Sequence, residues 1–487
     1  MVATLNQLGN TLLAQLYETV TGGDAHVPPS KNKFISWCCP GLPFQPQDFQ
    51  FCVKGLGGGA NAEQDKLLVN QAFTLATLAD LIPDREGVYN NSKQQTVWSS
   101  SEARMSHMYR EILNASRVVK QNLSKDEQAK IDKFRKLLRT TKKVKDLITD
   151  EEKEVTEDSP VLQAYNEKLA AYTDAALLYN SKRVAAQGAT GVEGKTAVAD
   201  WTNNATLYRL KVKSAMDAWV SGGYRNEVDE MNAYINQATQ RSMTAWRQRL
   251  LEYYDDGVVS GLAPGQEFRF TTLVPGSFAT AGGWTGQSTT HEHVSHWSSK
   301  SSNKWGGSAG VNFGLFSFGA SAGGESSKFN SGSSVSTFNL SYELAQVIIS
   351  RPWFYPEFFM NRGWTLSKGH GWNFDAMPSD GNLDNPHGLL IGYPTSILFA
   401  RNIKIVSQEF SSFYSEYSKS VGGGGSIGFG PFCLGGNYST SKSGNRFEST
   451  TDGTTLTVPG LQIIGFVNYL IGKAPNPLPE LKPNDFE

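Results

Sequence analysis

Residues 427–437 read Ile-Gly-Phe-Gly-Pro-Phe-Cys-Leu-Gly-Gly-Asn, and residues 311–321 read Val-Asn-Phe-Gly-Leu-Phe-Ser-Phe-Gly-Ala-Ser. Each stretch sits inside a long Ser/Gly-rich tract, and each switches side-chain parity at its centre. In the earlier copy the apolar residues are odd-numbered up to the centre (Ala309, Val311, Phe313, Leu315) and even-numbered after it (Phe316, Phe318, Ala320, Ala322). A strand alternates faces with a period of two, so a reversal at Leu315-Phe316 collects both sets on one face and leaves serine, glycine and asparagine on the other. In the later copy Ile427 and Phe429 precede a turn at Gly430-Pro431-Phe432-Cys433, and Leu434 follows it. Proline there suits the fixed φ of an i+1 turn position. Two amphipathic β-hairpins are therefore expected, carried by longer repeats at about 289–342 and 405–457.

Outward from these tracts the texture divides the chain into a mixed segment over 1–61, a helical domain over 62–262 and a β domain over 263–487. The expected fold class is α+β, a long-helix N-terminal domain followed by an antiparallel β domain with a duplicated amphipathic hairpin. Leu5, Leu8, Leu12 and Leu16 fall at helical spacing, as do Val228, Met231, Ile235 and Ala238, and Leu207, Leu210 and Trp219 on the helix before. Ser124-Lys-Asp-Glu127 and Thr149-Asp-Glu-Glu152 both have capping-box spacing and each predicts a helix start. The basic block Lys130–Lys145 and the acidic block Asp146–Asp158 read as a solvated helix face and its charge partner, and Gly188–Gly194 reads as a loop. In the C-terminal half Leu344–Ile349 and Ser396–Val406 are predicted core strands. The two prolines of Arg351-Pro-Trp-Phe-Tyr-Pro-Glu-Phe-Phe359 make that segment a packed aromatic corner and not a central strand.

Composition excludes several classes. In 487 residues Lys plus Arg number 45 against 46 Asp plus Glu, so charge predicts no nucleic-acid partner. Four cysteines, two of them adjacent at Cys38 and Cys39, make no disulfide framework. The N-terminus has no secretory pattern and no apolar run reaches the roughly 18 residues of a spanning helix, so the chain is expected to be cytoplasmic as synthesised, possible release being by a non-classical route. His291 and His293 share a strand face, as a metal pair would, yet no third ligand is near. Gly55-Leu-Gly57-Gly-Gly-Ala60 has phosphate-loop spacing between a strand-like Phe49–Val53 and a helix, but no second parallel strand follows. No catalytic residue, metal ligand or cofactor site is predicted, and the protein is not expected to be an enzyme.

The hairpins suggest a different chemistry. A spanning β-strand needs about 9–11 residues. The uncharged stretches 305–324 and 420–441, each flanked by charge, are long enough for one hairpin apiece. Lone hairpin edges leave backbone groups unpaired in lipid, so insertion requires many subunits to close a barrel. The expected partners are a lipid membrane and further copies of the chain, with membrane association following conversion. Val311, Phe313, Leu315, Phe316, Phe318, Ile427, Phe429, Phe432 and Leu434 are the expected membrane-contact residues. This plan of two insertable hairpins per subunit is similar to that of perforin-like and gasdermin-like pore formers; the similarity is one of layout and carries no residues across. A structural, self-assembling protein whose hairpins clasp neighbouring subunits is the alternative.

Overall fold

The computed structural model describes residues 3–21, 32–83, 100–120, 124–145, 152–187, 191–262, 266–290, 292, 315–318, 333–367, 377–382, 386–421, 426–437 and 446–487. From the N-terminus the chain forms β1 (Ala3–Thr4), α1 (Leu5–Thr21), β2 (Lys33–Phe44), α2 (Ala62–Ala79), α3 (Met105–Ala115), α4 (Lys125–Leu138), β3 (Arg139–Lys145), β4 (Glu152–Asp158), α5 (Pro160–Gln187), α6 (Gly191–Gly222), α7 (Arg225–Arg241) and α8 (Met243–Asp256). Strands then dominate: β5 (Thr272–Val274), β6 (Thr285–Thr290), β7 (Leu315–Phe318), β8 (Ser334–Val335), β9 (Asn339–Ser350) and β10 (Gly392–Val406). After α9 (Gln408–Val421) come β11 (Ser426–Phe429), β12 (Phe432–Asn437), β13 (Arg446–Glu448), β14 (Thr450–Thr451) and β15 (Thr455–Leu470). The protein is a mixture of helix and antiparallel sheet, an α+β chain. It divides into two compact units, Met1–Val118 with Leu250–Phe486, and Val119–Arg249 with Glu487. Helices α2 and α3, inside the stretch 62–262, thus belong with the strands.

In the second unit α4 starts where its capping box predicts. The Glu127 amide donates to Ser124 Oγ at 3.3 Å and the Ser124 amide to Glu127 Oε2 at 3.1 Å. The box at Thr149 opens no helix, because Glu152–Asp158 is strand β4, paired with β3 from Arg139↔Asp158 to Lys145↔Glu152. The basic block divides: residues 130–138 are helical, in α4, and Arg139–Lys145 pairs as a hairpin with the acidic Glu152–Asp158. Thr140, Thr141, Val144, Val155 and Thr156 favour the extended backbone, and residues of opposite charge are paired across the ladder at Arg139↔Asp158. Helix α5 begins only at Pro160, whose missing N–H is no loss at a first helical position, with Ser159 Oγ accepting from the Leu162 amide. Of the loop expected over Gly188–Gly194, the described residues from Gly191 onward are helical, in α6. Ile131, Leu138, Val228, Met231 and Ile235 make the core of this unit. Trp219 is buried beside Tyr165 and Tyr172, whereas Leu207 and Leu210 are 57% and 54% exposed. Their spacing marked a helix and not its buried face.

The first unit is built on an antiparallel sheet in which β6, β9, β10 and β15 follow one another as a meander. β5 extends the β6 edge and β2 covers the far side of β15. Both predicted core strands are present, as parts of β9 and β10. The sheet is buried on both faces. Ile397 and Phe399 face Phe49, Leu68, Leu75 and Phe278, while Leu398, Ala400, Ile403 and Ile405 face Leu8, Leu12, Phe410 and Phe429. A register break runs across neighbouring strands, at Ser341/Glu343 on β9 and Arg401/Ile403 on β10, where Asn402 has φ +53°. The aromatic corner expected at 351–359 is there: Trp353, Phe354 and Phe359 are buried around Tyr109 of α3, and Phe358 is buried against Phe359 and Trp364. Arg351 anchors it from inside, donating to Ala79 O at 2.9 Å and Pro394 O at 2.8 Å. Burial lowers its pKa to about 10, and the Asp80 carboxylate opposes that shift.

Candidate functional site: the second hairpin and its clasp

The strands β11 and β12 form a hairpin whose closing pair is Phe429↔Phe432, so the turn is Gly430-Pro431 and Phe432 lies in the ladder. That is one residue earlier than Gly430-Pro431-Phe432-Cys433, and the reason is Gly430. Its φ of +53° is the positive value that the first central residue of a tight two-residue hairpin turn requires, and glycine reaches it without strain. In the earlier copy Leu315–Phe318 is one strand, β7, and it pairs with β11 from Leu315↔Phe429 to Phe318↔Ser426. The reversal expected at Leu315-Phe316 is therefore not there. Strand pairing with β11 keeps these four residues extended; Val311 and Phe313 lie outside the described residues. Together with β13 these strands make a small four-stranded sheet, in the order β7-β11-β12-β13.

The expected membrane-contact residues of the later copy are in the core. Ile427, Phe429, Phe432 and Leu434 are each 0–1% exposed. Phe429 meets Phe410 of α9 edge-to-face at 5.0 Å and Phe338 at 5.7 Å, and Phe432 meets Tyr342 at 5.2 Å. The Tyr414 hydroxyl donates to Leu434 O at 3.1 Å, and burial pushes that phenol above its ordinary pKa. In this form none of the four is open to a lipid surface.

What pins the hairpin is a polar residue that interrupts the apolar stretch Leu461–Ile471 and to which the sequence alone assigned no role. Gln462, on central strand β15 and 1% exposed, holds the backbone of Cys433 at both ends. The Cys433 amide donates to Gln462 Oε1 at 2.8 Å, and Gln462 Nε2 donates to Cys433 O at 2.6 Å. Gly41 of β2 lets the turn approach: a Cβ there would lie 2.7 Å from Pro431 O and 2.8 Å from Gln462 Oε1. A polar residue in an apolar run was the available signal, since a buried glutamine needs partners.

The two segments that carry the hairpin tracts leave the sheet together. Thr290 ends β6, Asn339 begins β9, Val406 ends β10 and Thr455 begins β15. The registers Thr290↔Asn339, Asn339↔Val406 and Val406↔Thr455 place these four on one row across the meander. The connections they bound are residues 291–338 and 407–454, 48 positions each. A cleft of about 490 Å³ opens at this row, lined by Thr290, Thr337, Asn339, Val406, Ser407 and Thr454 among others. Beside it Glu409 ties one connection to the other. It accepts from the Ser336 amide at 3.2 Å, from the Ser336 hydroxyl, and from Ser407 Oγ at 3.3 Å. The Ser336 hydrogen bond holds the Glu409 carboxyl below its ordinary pKa.

The other sequence candidates do not assemble. Pro46–Phe49 and Phe51–Lys54 are helical turns and not a strand, and two amides of the glycine loop are occupied, Gly59 N–H by Asp65 Oδ1 at 2.8 Å and Ala60 N–H by Gln64 Oε1 at 2.8 Å. His291 and His293 lie outside the described residues, and no group of metal-ligating side chains occurs among the described ones. Cys38, Cys52 and Cys433 are free thiols, and burial raises the pKa of the first two. No helix among the described residues is long and apolar enough to cross a membrane. Comparisons with models of known families, with curated proteins and with solved structures found no match.

Proposed function

We propose that this protein is a pore-forming or membrane-perturbing protein, inserting two β-hairpins per subunit from an oligomer. The observation that carries the reading is the pair of 48-residue connections leaving one row of the meander. A ladder continued from Thr290↔Asn339 without slip turns at Gly314-Leu315. One continued from Val406↔Thr455 turns at Gly430-Pro431, and Phe429↔Phe432 already has that register in the folded hairpin. Each limb of 24 residues spans roughly 80 Å at about 3.3 Å per residue, a little over twice the roughly nine to eleven residues a bilayer takes.

Parity agrees. Ile403 and Ile405 of β10 share a face with Leu456 and Val458 of β15, and on extended limbs Ile427, Phe429, Phe432 and Leu434 continue that face. Leu340 of β9 continues likewise into Phe318 and Phe316, and Thr289 of β6 into Phe313 and Val311. All four limbs then show their apolar side chains on one face of the sheet. Conversion melts α9, whose Ser, Phe and Tyr residues are weak helix formers. Barrel closure demands many copies, because each subunit supplies four strands with open edges.

Phe432→Asp is a poor test, since a charge at a fully buried site breaks the soluble fold. Single-cysteine variants Phe316→Cys, Ser317→Cys and Phe318→Cys, each carrying an environment-sensitive fluorophore, are mixed with dye-filled liposomes. Dye release with a blue shift at 316 and 318 but not at 317 supports insertion. A large assembly stable in lipid-free buffer, with neither release nor liposome binding, turns the conclusion to the clasping structural protein.

A further inference from the structure

We infer that the N-terminal segment of β1 and α1 is a releasable strap that keeps both hairpin tracts folded; its purpose rests on the pore-forming reading. Helix α1 has one buried stripe, Leu5, Leu8, Leu12 and Leu16, each 0–1% exposed, and this stripe belongs to the same core cluster as Phe429, Phe432 and Leu434. Leu12 Cδ2 lies 3.2 Å from where a Cβ on the turn residue Gly430 would sit, so the helix rests directly on the tip of the second hairpin. The same segment also holds the first connection. β1 pairs with β8 through Ala3↔Val335 and Thr4↔Ser334, and the Leu5 amide donates to Ser333 O at 3.1 Å. At the row where that connection leaves the sheet, the buried Thr289 hydroxyl donates to Gln15 Oε1.

One short segment therefore touches the tip of one tract, the returning limb of the other and the strand end between them. It lies on the face that the apolar residues of extended limbs would need. Neither connection can extend along the ladder while α1 occupies that face. Its sequence, Leu-Asn-Gln-Leu-Gly-Asn-Thr-Leu-Leu-Ala-Gln-Leu-Tyr-Glu-Thr-Val-Thr, carries one charged residue, Glu18. A helix held by leucine contacts is released by a competing apolar surface, which a lipid interface supplies, and is insensitive to salt.

The test has two arms. In lipid-free buffer, Leu12→Ala should speed amide hydrogen exchange across 426–437 at least tenfold while Ile397–Ala400 of the central ladder exchanges as in the wild type. Exchange unchanged at the hairpin, or raised equally in the ladder, overturns the strap. In the second arm Ala3→Cys with Val335→Cys joins β1 to β8 by a disulfide, which directly opposed antiparallel residues are spaced to accept. Oxidised protein should release liposome dye at least ten times more slowly than the same protein after reduction, and equal release overturns the inference. If neither form releases dye, the pore-forming reading fails, and the exchange arm still decides the strap.

Discussion

Replacing Gln462 by leucine isolates the clasp on the second hairpin. Leucine keeps most of the volume of the glutamine side chain and fits an apolar surrounding, so packing changes little. What is lost is the pair of hydrogen bonds to Cys433, at 2.8 and 2.6 Å, both buried. A buried backbone group that loses its partner costs about 1–3 kcal/mol, so the two together cost roughly 2–6 kcal/mol. The loss falls on the hairpin and not on β15, whose ladder bonds to β10 and β2 run through its backbone. At 1.4 kcal/mol per factor of ten, even the lower figure reduces local protection about thirtyfold. Amide exchange read by mass spectrometry over 426–437 measures this directly, with 397–400 as the internal reference. Gln462→Glu should be worse still, because it accepts from the Cys433 amide but cannot donate to its carbonyl, and it buries a charge. Protection in Gln462→Leu within threefold of the wild type would refute the assignment of Gln462 as the clasp.

Three further outcomes are expected. Gly41→Ala puts a methyl 2.7 Å from Pro431 O and forces the turn outward, at about 1–3 kcal/mol, visible as a lower urea midpoint and faster exchange at 430–434. Glu409 titrates below its ordinary value, so its stabilising tie between the connections is complete at neutral pH and is lost as the pH falls through that depressed range. Amides 333–338, corrected for intrinsic rates, should lose protection on acidification in the wild type, and Glu409→Gln should show that loss already at pH 7. Ser124→Ala removes half of the α4 capping box and should lower the stability of the Val119–Arg249 unit by about 1 kcal/mol, read from its own urea transition.

Much of the architecture was legible because it rests on local periodicity. The leucines of α1, the capping box at Ser124, the core strands within β9 and β10 and the aromatic corner at 351–359 all follow from spacing and from proline's restrictions. The acidic block misled for a local reason as well: Thr149-Asp-Glu-Glu152 has the residues of a cap, yet β-branched residues and an oppositely charged partner strand outweigh it. In the hairpin tracts parity identified the apolar face of Ile427, Phe429, Phe432 and Leu434, and alternation has the same form whether that face meets lipid or core. Only the tertiary structure decided this for the folded state, by setting α1, α9 and Tyr342 against it.

By itself the sequence determined the α+β class, the helices and core strands marked by local spacing, the apolar side of the later hairpin and the two uncharged lengths, since each depends on residues close along the chain. The tertiary structure decided that the two tracts spring from one row, that both connections have equal length, and that Gln462 bonds the hairpin while Leu12 packs on its tip. Those facts depend on strand register and on contacts such as Leu12 against Gly430, more than 400 positions apart. No local pattern encodes such a pairing, because register is set by which faces the whole sheet must bury.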